Sequence, residues 1–151
     1  MLTEEGGPMA DIAMQAEIAA PPADVYRALT STEGVAGWWT TRNETSGVVG
    51  TVQRFWFPDA PMSWDLEVTS ATPDESLIWH CVGGPPEWIG TQVRWTLQPG
   101  ETGTVVLLDH TGFEEVGTMY RIVTFGWAQM LERMQRYLSG GTPVPYFDQE
   151  V

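Results

Sequence analysis

Apolar side chains recur at three- and four-residue steps between residues 115 and 139: Tyr120, Val123, Trp127, Met130 or Leu131, Met134 and Leu138. Arg121, Gln129, Glu132, Arg133 and Arg136 lie mainly off that stripe. The pattern predicts an amphipathic helix of about 25 residues, nearly 40 Å long at about 1.5 Å per residue, stopped by Gly140 and Gly141. Most of the chain before it alternates at period two. A sheet with one apolar face must be covered, and the only element long enough to cover it is this last helix. A curved sheet closed on one helix commonly leaves a cavity between them.

The alternating segments fix the order. In "DIAMQAEI", Ile12, Met14, Ala16 and Ile18 fall on one side and Asp11, Gln15 and Glu17 on the other, a strand with one buried face. "APPADVYRALTS" follows, with Pro21 and Pro22 placed to open a helix striped by Val25, Ala28 and Leu29. Ser31 or Thr32 caps a second short helix, "TEGVAGWW". From about residue 44 strands alternate with turns: "GTVQRFWF", "MSWDLEVTSA", "SLIWHCV", "GTQVRWTL" and "TVVLLDHTGF". Within them Trp64, Leu66 and Val68, then Trp79 with Cys81, then Val93, Trp95 and Leu97 are expected inward. The fold class is α+β: a first strand, two short helices, about six antiparallel strands and a long helix. Residues 1–10 are expected to be a disordered leader, with Met1 or Met9 as the start, 11–140 the single domain, and 141–151 an extended Pro-rich tail.

Composition narrows the function classes. There are 20 acidic residues against 7 basic ones, a net charge of −13, and every basic residue is arginine. The absence of lysine excludes Schiff-base chemistry. The absence of a basic footprint argues against nucleic acid and anionic membrane as partners. The lone Cys81 excludes an intrachain disulfide and fits a reducing compartment. No apolar run is long enough to span a membrane, and "MLTEEGGPMA" lacks the features of a signal peptide, so a cytoplasmic location is expected. Eight tryptophans are a heavy load for 151 residues, and rigid indole faces suit the lining of a pocket as well as a core.

Three stretches in order carry a resemblance. "IAAPPADVYRALTSTEGVAGWW", "GTVVLLDHTGF" and "GWAQMLERMQRYL" resemble START-like (helix-grip, or SRPBCC) proteins of the branch related to the activator of the ninety-kilodalton heat-shock chaperone's ATPase. The resemblance runs from about residue 11 to 140. It departs at Gly50, where a richer glycine turn is usual, and at the distinctive loop "GGPPEW". It implies a helix-grip fold, a curved sheet of six to seven strands around the C-terminal helix, and a cavity for small apolar or amphipathic molecules. A reaction does not follow, since one fold hosts binders and enzymes alike.

Candidate chemistry is sparse. His110 shares a strand face with Thr104, Val106 and Leu108, and an apolar cavity would keep its ring neutral. It is the one weak catalytic candidate, the alternative being a histidine that fixes the strand-to-helix corner. His80 and Cys81 point to opposite faces of a strand. No metal set, nucleophile elbow, phosphate loop or dinucleotide fingerprint is present, and no cofactor is implied. Arg54 faces either inward as an anchor for a ligand carboxylate or phenolate, or outward in an ion pair. Adjacent side chains such as Trp38 and Trp39 diverge by about 100° on a helix and by more on a strand. One ring is therefore expected to plug the core, with Trp39 favoured, and the other to border the opening. Trp64, Trp79, Trp95, His110, Phe113, Tyr120, Trp127, Met130 and Met134 would complete the wall, with Trp88 as a lid. The expected function is binding of a lipid-, sterol-, flavonoid- or polyketide-like ligand in this cavity. The alternatives are a polyketide cyclase/aromatase-like enzyme working in the same cavity, and a co-chaperone-like module that docks on heat-shock protein 90.

Overall fold

The computed structural model describes residues 10–149. Apart from Ala10, which begins the first strand, the expected leader and both candidate start residues lie outside the described residues. The chain runs β1 (Ala10–Ile18), α1 (Pro22–Thr30), α2 (Thr32–Ala36), β2 (Asn43–Glu44), β3 (Val52–Phe55), β4 (Trp64–Thr72), β5 (Ser76–Gly83), β6 (Gln92–Pro99), β7 (Thr104–Phe113) and α3 (Thr118–Gly140). The seven strands form one antiparallel sheet in the order β1-β7-β6-β5-β4-β3-β2. Register shifts between Asp65 and Leu66 and between Val68 and Ser70 bend β4 against β5 and help to curve the sheet. This is the helix-grip architecture.

Local chemistry accounts for the elements. Pro21 and Pro22 fix the entry of α1, whose buried residues are Val25, Ala28 and Leu29. The Ser31 hydroxyl caps α2 by accepting the Gly34 N–H at 3.0 Å. Helix α3 ends at Gly141, whose left-handed φ of 76° lets its N–H reach the Tyr137 carbonyl at 2.7 Å. It begins at Thr118 rather than at 115, because extended Gly117 occupies the N-cap position and brings no capping side chain.

The expected strand over 50–57 is shorter than its sequence pattern. It ends at Phe55 because the next N–H, that of Trp56, turns to the Arg42 carbonyl and Phe57 starts a turn. Within β3, Gln53 and Phe55 are buried while Arg54 points out. That settles Arg54: it is half exposed, 3.8 Å from Asp65 on the outer face of the sheet, and anchors nothing inside.

Gly103 shows how tightly the β6–β7 hairpin meets the corner after β1. Its carbonyl accepts the Gly100 N–H at 2.8 Å, and a Cβ at this position would run into the Ile18 carbonyl. Gly103→Ala is expected to cost about 1–3 kcal/mol, the usual range for a steric insertion at a packed site. Urea denaturation checks this; wild-type stability would mean that the corner yields freely.

Between the sheet and α3 the space is filled with indoles. Trp38, Trp39, Trp79, Trp95 and Trp127 are each no more than 1% exposed. Trp39 lies nearly parallel to Trp38 (centroids 5.6 Å apart) and to Trp79 (6.1 Å), and Trp95 meets Trp38, Trp79 and Trp127 edge-on. Such pairs contribute about 0.5–1.5 kcal/mol each beyond the area they bury. The expectation that only one of the adjacent pair would be inward is corrected here. Residues 37–39 form a turn after α2, neither helix nor strand, and the two rings leave it nearly parallel. Trp38 is the plug, its indole N–H donating to the Ala28 carbonyl at 2.8 Å.

Candidate functional site

With the interior packed, open volume survives at one end of the helix–sheet gap. A pocket of about 420 Å³ lies there. Trp39 forms part of its wall, and Trp64 and Trp88 reach it from β4 and from the loop after β5. The turn Phe57–Ala60 supplies one rim, Met119, Ile122, Val123, Gly126 and Met130 of α3 another, and Tyr146 with Phe147 of the tail a third. Asp59 is the one charged side chain among the described residues that line it.

The tail is a structural part of this site. Val144, Tyr146 and Phe147 donate their N–H groups to the carbonyls of Gly37, Trp38 and Trp39, and the Thr41 N–H returns to the Phe147 carbonyl. Arg133 of α3 clamps the same segment by donating to the carbonyls of Val144 and Pro145. The described part of the tail packs as a strap along residues 37–41.

Of the residues singled out in the sequence, Trp39, Trp64, Trp88 and Met130 line this pocket. Trp38, Trp79, Trp95, Trp127 and Met134 are core. Phe113 and Tyr120 line a second, wider hollow of about 660 Å³ rimmed by Glu87, Glu114 and Glu115. Trp88, expected as a lid, is only 5% exposed and packs on the His110 ring at 4.6 Å, so it is a fixed wedge. The contributions of Phe57–Ala60 and of Tyr146 and Phe147 were missed. The available signal was the aromatic pair inside a Pro-rich tail.

His110 lies beside this pocket, not in it. Its Nδ1 accepts the Trp127 indole N–H at 2.9 Å. The Thr91 hydroxyl gives its own proton to the Trp88 carbonyl at 2.7 Å, so His110 Nε2–H must donate to Thr91 Oγ1, 2.9 Å away. Both ring nitrogens are thus used in a neutral ring with no exposed surface, and burial lowers its pKa to about 3. A second ring proton would sit on Nδ1 and face the Trp127 N–H, donor against donor. This arrangement ties β7, the 85–91 loop and α3 together and leaves no nitrogen for a ligand's proton.

Cys81 is equally closed. Its thiol donates to the Gly83 carbonyl at 3.2 Å, and burial pushes its pKa up to about 11, far from a reactive thiolate. Among the described residues no group of three or more His, Cys, Asp and Glu is placed to hold a metal ion, and no helix is long and apolar enough to cross a membrane.

Comparison with known proteins agrees with this architecture. The solution structure of the Aha1 dimer from Colwellia psychrerythraea superposes with a TM-score of 0.81 at 30% identity, over 88% of this chain and 98% of that one. DynU16, a protein of the dynemicin biosynthetic locus, gives a TM-score of 0.79 at 27% identity over 94% of this chain but 52% of its own. The protein MLL2253 from Mesorhizobium loti gives 0.74 at 25% identity, over 86% of this chain and 97% of that one. No curated protein matches the chain. The family described as Activator of Hsp90 ATPase homolog 1-like protein (AHSA1) matches residues 19–139. With that match spanning most of its length and a helix gripped by a curved seven-stranded sheet, the chain belongs to the Activator of Hsp90 ATPase homolog 1-like family.

Proposed function

We propose that the protein binds a small hydrophobic or aromatic molecule, of lipid-, sterol-, flavonoid- or polyketide-like character, in the pocket between the end of the sheet and α3. The observation that carries this is the pocket's lining: six aromatic rings and a helix face with two methionines around about 420 Å³. That volume falls within the range of about 300–1,000 Å³ common for ligand pockets. Met119 and Met130 supply unbranched, adaptable surface on the α3 side. The family, whose fold commonly holds hydrophobic ligands, supports the same reading. Catalysis has little to work with, because His110 and Cys81 are both sealed. A cytoplasmic location belongs to the same proposal.

The test is a titration with flavonoids, fatty acids, sterols and aromatic polyketides, followed by indole and methionine-methyl chemical shifts. Saturable changes at Trp39, Trp64, Trp88, Met119 and Met130, with Trp38 and Trp95 unmoved, are expected. A library in which no compound produces saturable shifts there would overturn the reading.

A further inference from the structure

We infer that the pocket selects ligands carrying a positive charge, a quaternary or protonated amine on an apolar body, over neutral and anionic ones. The inference rests on the reading above that this pocket binds a small molecule, and adds the sign of its charge.

Ring geometry is the first support. Phe57 stands at 84° to Trp64 with centroids 4.6 Å apart, and Trp64 stands at 90° to Trp88 at 6.4 Å. Trp64 thus stands nearly perpendicular to both Phe57 and Trp88, and the tail adds Phe147, 4.9 Å from Phe57. The lining is thus aromatic in several orientations, and an aromatic ring attracts an alkylammonium group through its quadrupole.

Charge is the second. Asp59, on the rim, contributes the only formal charge among the described residues lining the pocket. Glu87, Glu114 and Glu115 rim the neighbouring hollow, and the chain as a whole carries −13. None of the seven arginines lines either space. Arg54 faces Asp65 on the outer side of the sheet, and Arg42 lies 4.9 Å from the Trp56 ring. Arg133 lies 5.7 Å from the ring of Tyr146 and is held there by donating to tail carbonyls. A carboxylate ligand would therefore enter a negative potential with no counter-charge in the wall, whereas a cation finds ring faces and Asp59.

The experiment uses the full chain and three naphthalene probes that differ in their head group: 2-naphthylmethyl-trimethylammonium, its neutral carbon isostere 2-neopentylnaphthalene, and the anion 2-naphthylacetate. Dissociation constants come from indole chemical shifts at about 0.15 M salt, where distant surface charges are largely screened. The cation is expected to bind about tenfold more tightly than the neutral isostere, the scale of a partly desolvated cation–π contact, and the anion most weakly. Asp59→Asn is the companion variant. Asp59 has a left-handed φ of 64°, which asparagine tolerates well, so the turn survives the change. It is expected to reduce the cation's advantage over the neutral probe severalfold. If the neutral or anionic probe binds as tightly as the cation, the charge preference is wrong while the pocket stands. If none of the three produces saturable shifts, both the preference and the pocket fall.

Discussion

Replacing Trp127 with alanine is expected to lower the unfolding free energy by about 3–5 kcal/mol, the range for removing a large buried aromatic. That is a large fraction of the total of about 5–15 kcal/mol that holds a typical domain together. The side chain is completely buried, lies 5.3 Å from Trp39 and 5.6 Å from Trp95, and donates to His110. Its loss opens a void behind Trp39 and leaves His110 Nδ1 without a donor. Trp127→Phe separates these effects. A six-membered ring is kept while the N–H and the rest of the indole are lost, so the expected cost drops toward about 1–3 kcal/mol, from one unsatisfied buried polar atom and a smaller void. Urea unfolding of both variants gives the comparison. Equal costs would mean that the retained phenyl ring contributes nothing, and an alanine variant as stable as the parent would remove Trp127 from the core altogether.

Acid is expected to act on the protein through His110. The unfolded chain takes up this proton near pH 6.5, whereas the folded ring resists until about pH 3. Between those values the unfolded state holds more protons, so stability falls as pH falls through the window and is at full strength above it. At about 1.4 kcal/mol per pH unit, the native protein is expected to lose about 2 kcal/mol between pH 6.5 and 5 relative to its His110→Gln variant, which carries no titrating ring. The whole span down to pH 3 corresponds to something on the order of 4–5 kcal/mol. Measuring unfolding free energy against pH for both proteins isolates this part from the carboxylates, which titrate in each. Parallel curves would show that His110 is as easily protonated folded as unfolded.

What the sequence discloses follows from how each part is specified. Strands β1, β6 and β7 bury one face, so alternation places Ile12, Val93, Trp95, Val106, Leu108 and His110 inside without any knowledge of their partners. The stripe of α3 is legible for the same reason, with Val123, Trp127, Met130, Leu131 and Met134 all buried. Arg54 was ambiguous because aromatic residues at 55, 56 and 57 compete for the inside, and pairing with β4 decides between them. Trp38 and Trp39 defeat a periodic argument because they sit in a turn, where no period applies. The pocket is least legible of all. Two of its three rims are a turn at 57–60 and a strap at 146–147, both placed by contacts with distant residues rather than by any repeat of their own. Periodicity reports the faces of regular elements, and this site is assembled largely from what lies between and beyond them.

Strand β1 is an edge strand, and among the described residues it pairs with β7 alone, setting Ile18 opposite Thr104 and Ala10 opposite Phe113. Of the seven described strands it is synthesised first and must wait for the last of them. Strands β3 to β7, each beside its sequence neighbour, assemble by short hairpins, but β1 closes a loop of most of the chain and bears that ordering entropy before any pairing rewards it. Helix α3, made later still, then fastens it, Tyr120 donating to the Asp11 carbonyl and Gln135 to that of Glu17. Birth order and completion order are thus expected to be opposed: the earliest made of the seven described strands is the last expected to pair.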